Sequence, residues 1–140
     1  MNIIVVDASV GVKWFVSEKN SENAKSILIE NNQLHAPEFF LVEVNSVFSK
    51  KIKAHELIKS EADDARIQLD NFPIEYHSTR NIINRAFDLS LEIPHRIYDC
   101  LYLSLAIHLE ALMVTADEEF YAKLQSTKYS ACVKLIQNYS

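Results

Sequence analysis

The stretch Ile97–Phe120, IYDCLYLSLAIHLEALMVTADEEF, constrains this chain more than any other. From Tyr98 to Leu109 it is apolar almost all the way round at helical spacing, which marks a buried helix rather than a surface one. Ala111 to Thr115 then reads as a short, fully covered strand, and Asp117 follows it directly. Asp99 stands in the first turn of the helix, on the flank of Tyr102, Leu103 and Ala106 at about 100° per residue. Taken alone, Asp99 can simply complement the positive helix end. Asp117 can likewise cap the helix that EEF begins.

The same alternation of short strands and helices runs through the rest of the chain. Asn2 to Val6 is a β-branched apolar run typical of a central parallel strand, and it ends in Asp7 with Ser9 two residues on. Val10 to Val16 and Ser21 to Glu30 carry helical patterns, the second with Ala24, Ile27 and Leu28 inward. Leu34 to Ala36 is a brief strand, and Pro37 suits the first turn of a helix that runs through FFLVEVNSVF to Lys50, Lys51 and Lys53. His55 to Phe72 is an amphipathic helix with Ile58, Ala62, Ala65, Leu69 and Phe72 inward. Ile74–His77 is a strand and Thr79–Glu92 a helix that ends at Ile93-Pro94. After Asp117 a short helix through Leu124 precedes a last strand, Ala131 to Ile136. With no tight hairpin signal, this order predicts an α/β fold, a central parallel sheet of four to five strands flanked by helices. The 140 residues suffice for one domain, 1–140, with a real core.

Composition excludes several functions. Gly11 is the only glycine, so neither the Walker loop nor the dinucleotide fingerprint can be built. Two cysteines, Cys100 and Cys132, are too few for a zinc site and suit a reducing cytoplasm. No apolar run approaches the ~20 residues of a membrane span, and MNIIVVDAS does not read as a signal peptide. The net charge of −5 argues against a nucleic-acid partner only at first sight, since four carboxylates gathered in one cation site would account for most of it.

The acid hardest to explain as a surface residue is Glu43, set in an apolar helix between Phe39 and Val47. An unpaired buried carboxylate costs several kcal/mol, so it must be neutral, paired or metal-bound. Asp7 lies just past a strand's carboxyl end, where open α/β sheets bind ligands, although Asp7 or Ser9 can also cap the next helix. Asp7, Glu43, Asp99 and Asp117 all fall where the sheet's carboxyl edge can bring them together. All-oxygen carboxylate ligands suit hard cations, Mg²⁺ or Mn²⁺, rather than zinc. On that reading Asp7 and Asp99 are core ligands, Glu43 a ligand or water-orienting base, and Asp117 a second-metal or outer ligand. No side chain looks like a covalent nucleophile. Converging carboxylates repel, so at least one should hold its proton unusually well. Neutralising Asp7 or Asp99 should then stabilise the metal-free fold.

The segments VVDASV with KWF, APEFFLVEV, and IYDCLYLSLA followed by VTADEEF resemble the PIN-domain family, in particular the VapC-type toxins of bacterial toxin–antitoxin pairs. The resemblance spans nearly the whole chain in the family's order. It implies a PIN-like three-layer fold and a Mg²⁺- or Mn²⁺-dependent endoribonuclease, often homodimeric, silenced by a small cognate antitoxin. The family's acidic site falls on Asp7, Glu43, Asp99 and Asp117, its small polar residue on Ser9, and its hydroxyl before the last acid on Thr115. The family often has Asn three residues past the helix acid, where this chain has Ser46, with Asn45 beside it. Lys13, Lys50, Lys51 and Arg96 are the candidate RNA contacts, although Lys50 and Lys51 also suit the negative end of their helix. A receiver domain is excluded because it wants an adjacent acidic pair after its first strand. A haloacid-dehalogenase-type phosphatase is excluded because Ser9 stands where it needs a second Asp. The remaining alternative is a non-catalytic PIN-like module that binds RNA or a protein.

Overall fold

The computed structural model describes residues 2–139. Strands β1 (Asn2–Val6), β2 (Asn32–Pro37), β3 (Ile74–His77), β4 (Leu112–Thr115) and β5 (Val133–Leu135) pair in parallel, in the spatial order β3-β2-β1-β4-β5. The helices are α1 (Ala8–Gly11), α2 (Ser21–Ile29), α3 (Phe39–Lys53), α4 (Lys59–Asp70), α5 (Thr79–Glu92), α6 (Ile97–Leu109) and α7 (Glu118–Gln125). Successive strand residues point to opposite faces. Ile4, Val5 and Val6 are all fully buried, so both faces of the sheet are covered and the fold has three layers.

This topology decides where a site can form. The chain lays β2 and then β3 outward on one side of β1, and returns to the other side of β1 for β4. The strand order therefore reverses between β1 and β4, and the loops leaving their carboxyl ends diverge and open a crevice. Asp7 leaves β1 there, and Ala116-Asp117 leaves β4. Between them lies the first turn of α6, a helix buried on all sides from Cys100 to Ala106 that packs on β1, β2 and β4.

Four local expectations change. The helix read over Val10–Val16 is instead the short α1 followed by a 3₁₀ turn, Val12–Trp14. Asp7 starts α1 early by accepting from the Val10 N–H, and Trp14 is pulled inward to donate to the Ala24 carbonyl at 2.9 Å. Pro37 ends β2 rather than beginning α3, paired with His77 beyond the last β1–β2 pair, Val5 with His35. With no neighbour on that side, its missing N–H forfeits no ladder bond. The helix read from His55 begins only at Lys59, because His55 takes a left-handed φ of 60° that closes α3 and reverses the chain. Ile58 is consequently outside the helix and 61 % exposed instead of facing inward. Tyr98 also lies partly in solvent, stacked on Phe39 with ring centroids 5.1 Å apart.

Gly11 holds α1 against α3. Its φ is ordinary, but a Cβ there would stand 2.6 and 2.8 Å from ring carbons of the fully buried Phe40. Gly→Ala inside a helix normally gains roughly 0.5–1 kcal/mol. Here the overpacking should outweigh that gain, and Gly11→Ala should destabilise the protein by about 1–3 kcal/mol in urea or thermal melts. Combining it with Phe40→Leu should cost less than the sum of the two single changes. A Gly11→Ala protein as stable as wild type would show that α1 is free to shift.

Candidate functional site

Asp7 is the best-defined group in the crevice. It is buried, and both of its oxygens are occupied. Oδ1 accepts from the Ser9 hydroxyl at 2.5 Å and from the Val10 N–H at 3.2 Å, while Oδ2 accepts from the Thr115 hydroxyl. Each hydroxyl accepts a backbone N–H in turn: Ser9 Oγ from Ala116 and Thr115 Oγ1 from Asp117, both at 3.0 Å. A hydroxyl has one proton to give, and here both protons go to Asp7. Burial nevertheless dominates and pushes the Asp7 carboxyl up to about 7; the hydroxyls and the Val10 N–H work against this, and the charge of Glu43 adds to it.

The other acids reach the same cleft from different elements. Glu43, half-buried on α3, accepts a short hydrogen bond from the buried Tyr102 hydroxyl of α6. Burial raises its carboxyl; the Tyr102 hydrogen bond opposes this and the charge of Asp99 adds to it. Burial, and after it the charge and hydrogen bond of Glu43, drives the Tyr102 phenol far above its ordinary range. Asp117 caps α7 by accepting from the Phe120 N–H at 3.0 Å. Asp99 accepts at Oδ2 from Arg96, at 3.4 Å, and from His95 Nε2, at 2.7 Å.

His95 is the residue that sequence reasoning missed. Its Nδ1 lies 3.1 Å from the Lys123 ammonium, which also donates to the Pro94 carbonyl. An ammonium has only donors, so Nδ1 must accept, the ring proton sits on Nε2, and it is given to Asp99. The ring packs on Phe120 with centroids 4.5 Å apart, which fixes its plane. His95 thus aims Asp99 without itself offering a lone pair to the cleft. The available signal was its position four residues before Asp99 at the start of α6.

Asp7, Ser9, Glu43, Arg96, Asp99 and Asp117 line one cleft together with Ala8 and Val47. The sequence-derived acids and Ser9 therefore converge, and Thr115 lies directly beneath Asp7. Of the four cations expected to meet RNA, only Arg96 belongs to this cleft. Lys13 is buried, its ammonium bound to Glu18 at 3.2 Å and to the Lys19 carbonyl at 2.7 Å, so it fastens a turn and is not free for a phosphate. Lys51 lies 3.8 Å from Glu18 and 3.7 Å from Glu56, and Lys50 is exposed at the end of α3. Asn45 turns back to donate to the Leu41 carbonyl, and Ser46 is exposed; neither lines the acidic cleft. The donor set is all oxygen and fits a hard divalent cation. The raised carboxyls of Asp7 and Glu43 fit it too, since a cation restores the charged form that burial penalises.

The PIN domain family matches residues 4–123 of the chain. Ribonuclease VapC3 of Pyrobaculum aerophilum is 28 % identical over 122 residues, covering 86 % of this chain and 93 % of that protein. Among solved structures, PAE2754 from Pyrobaculum aerophilum superposes with a TM-score of 0.71 at 18 % identity, covering 97 % of this chain and 85 % of the other. A toxin–antitoxin complex from Klebsiella pneumoniae contains a chain with a TM-score of 0.57 at 15 % identity, covering 85 % of this chain and 90 % of that one.

Two outcomes follow from the geometry. In chelator, folded Asp7 holds its proton up to about pH 7, whereas in the unfolded chain it is released near pH 4. Its contribution to stability is thus fully present below about pH 4 and lost as pH rises through about 7. Asp7→Asn has no such loss, so its advantage over wild type in thermal melts should be absent near pH 4. It should grow to the order of a few kcal/mol by pH 8. Asp99→Asn should bring no matching gain, because His95 and Arg96 already hold that carboxylate. Separately, His95→Ala should weaken apparent Mg²⁺ or Mn²⁺ affinity by roughly 10–100-fold, and His95→Gln, which keeps a donor, should recover part of it. Unchanged affinity in His95→Ala, measured by calorimetric titration, would remove the orienting role.

Proposed function

The chain belongs to the PIN-domain family, and from that premise we propose that it is an endoribonuclease, hydrolysing RNA phosphodiester bonds with carboxylate-bound Mg²⁺ or Mn²⁺ as the toxin of a toxin–antitoxin pair. One observation carries this reading: four acids from four separate elements line a single cleft at the sheet's carboxyl edge. The name of the relative Ribonuclease VapC3 and the toxin–antitoxin assembly of the structural neighbour support it.

In this reading Asp7, Asp99 and Asp117 hold the cation, and Glu43 is a further ligand or orients the attacking water. The bound ion supplies Lewis-acid polarisation of the scissile phosphate and lowers the pKa of that water. Burial raises the Glu43 carboxyl, so it accepts a proton more readily than an ordinary carboxylate. Tyr102 fixes which Glu43 oxygen remains free for that work. Arg96, 69 % exposed at the rim, would meet a backbone phosphate. Ser9 and Thr115 keep Asp7 from rotating. The water oxygen bonds to phosphorus as the 3′-oxygen leaves, giving a 5′-phosphate and a 3′-hydroxyl. The protein would act in the cytoplasm, as a homodimer, until a small antitoxin covers it. Among the described residues no helix is long and apolar enough to cross a membrane.

Purified protein should cleave RNA in Mg²⁺ or Mn²⁺, stop in chelator, and lose orders of magnitude of activity as Asp99→Asn. Expression of wild type, but not of Asp99→Asn, should slow growth. Cutting that survives chelator or Asp99→Asn refutes the mechanism, while RNA binding without any cleavage assigns the protein as a binding module.

A further inference from the structure

We propose that His35, Glu75 and His77 form a second cation site, for a transition metal of the Zn²⁺ class, where β2 meets the edge strand β3. In the parallel register His35 lies opposite Glu75 and Pro37 opposite His77. Residues two apart on a strand share a face, so Glu75 and His77 project on the same side of β3. His35 meets them from β2, where its neighbours are the buried Leu34 and Ala36. Its own side chain is only 8 % exposed, an unusual setting for an imidazole unless something fixes its nitrogens.

Three ligand atoms converge there. His35 Nδ1 lies 2.9 Å from His77 Nε2 and 3.5 Å from Glu75 Oε2, and each of the three residues offers a ligand atom within 4.8 Å of those of the other two. Two ligands held at zinc distances in a tetrahedron are about 3.3 Å apart, so a shift of a few tenths of an ångström admits the ion. Glu75, 70 % exposed, is free to swing onto it. A proton shared between the two rings accounts for the 2.9 Å contact, and a cation at the focus would replace that proton while also drawing in the carboxylate turned toward the same nitrogen. Two imidazoles and one carboxylate select borderline metals, in contrast to the all-oxygen acidic cleft. Three protein ligands also leave one position open to water.

The test is titration of Zn²⁺ alone into the protein in excess Mg²⁺, which competes for the acidic cleft, by calorimetry. Co²⁺ titration adds a readout, the visible band of a four-coordinate site. Wild type should take up one equivalent of Zn²⁺ and melt higher with it. His77→Gln and Glu75→Gln should each weaken binding by more than the roughly 10–100-fold typical of losing an outer-shell partner. Both should still cleave RNA in Mg²⁺ as wild type does. Glu75 is largely in solvent, so Glu75→Gln remains informative even if His77→Gln folds poorly. Absence of stoichiometric binding overturns the proposal. So does binding unchanged in Glu75→Gln, or binding lost only in Asp99→Asn, which would put the ion in the acidic cleft.

Discussion

The carboxylate of Asp7 lies between two hydroxyls whose protons are both committed to it, and the junction of β1 with β4 is built around that contact. The lone pairs of Ser9 and Thr115 take up the first two N–H groups after β4, so the hydroxyls cannot turn away. One acid thereby fixes the ends of two neighbouring strands and the start of α1 and orders the loop that presents Asp117. The contact is costly, since burial raises the Asp7 carboxyl in spite of its donors. A carboxylate that accepts three hydrogen bonds and still resists ionisation points to a site shaped for a charge the protein itself does not supply.

Asp7 and Asp117 also show why capping and ligation are not competing readings. A carboxylate has two oxygens and about four lone-pair positions. Asp117 spends Oδ1 on the Phe120 N–H, and the residue still lines the cleft. Asp7 caps α1 through the Val10 N–H while facing the same cleft. The cap fixes the side-chain rotamer, and the fixed rotamer aims the remaining lone pairs. A local structural role and a site role are here the same hydrogen bond seen from its two ends.

That overlap explains what was legible in the sequence. The strands, the buried helix and the four acids could be read because each depends on local pattern: a covered strand is continuously apolar, and an acid just past it stands out. Glu43 was conspicuous because its helix offered no other reason for a charge. Positions decided by chain reversal or by distant partners could not be read. Ile58 fits the inward rhythm of α4, but the left-handed turn at His55 moves the helix start beyond it. Lys13 looks free in the sequence and is enclosed by Glu18 and the Lys19 carbonyl. His95 carries no signal of its own, because its tautomer is set by Lys123, 28 residues away.

Charge follows the same logic of place over total. The net charge of −5 suggests a protein that repels nucleic acid, yet four of its acids are gathered in one cleft. Within that cleft the partners are graded. Asp7 meets only neutral donors, Glu43 a neutral phenol, and Asp99 a neutral imidazole plus an exposed guanidinium. Arg96, the one full positive charge among the described residues that line the cleft, is too exposed to neutralise the buried pair, because solvent screens it. The deepest acids therefore keep their deficit of positive charge. A phosphate diester entering this cleft meets compensation at the rim and an uncompensated carboxylate floor. Such a floor would suit a polyanion only with a cation between them, so in the proposed function the need for a metal would follow from the charge of the substrate.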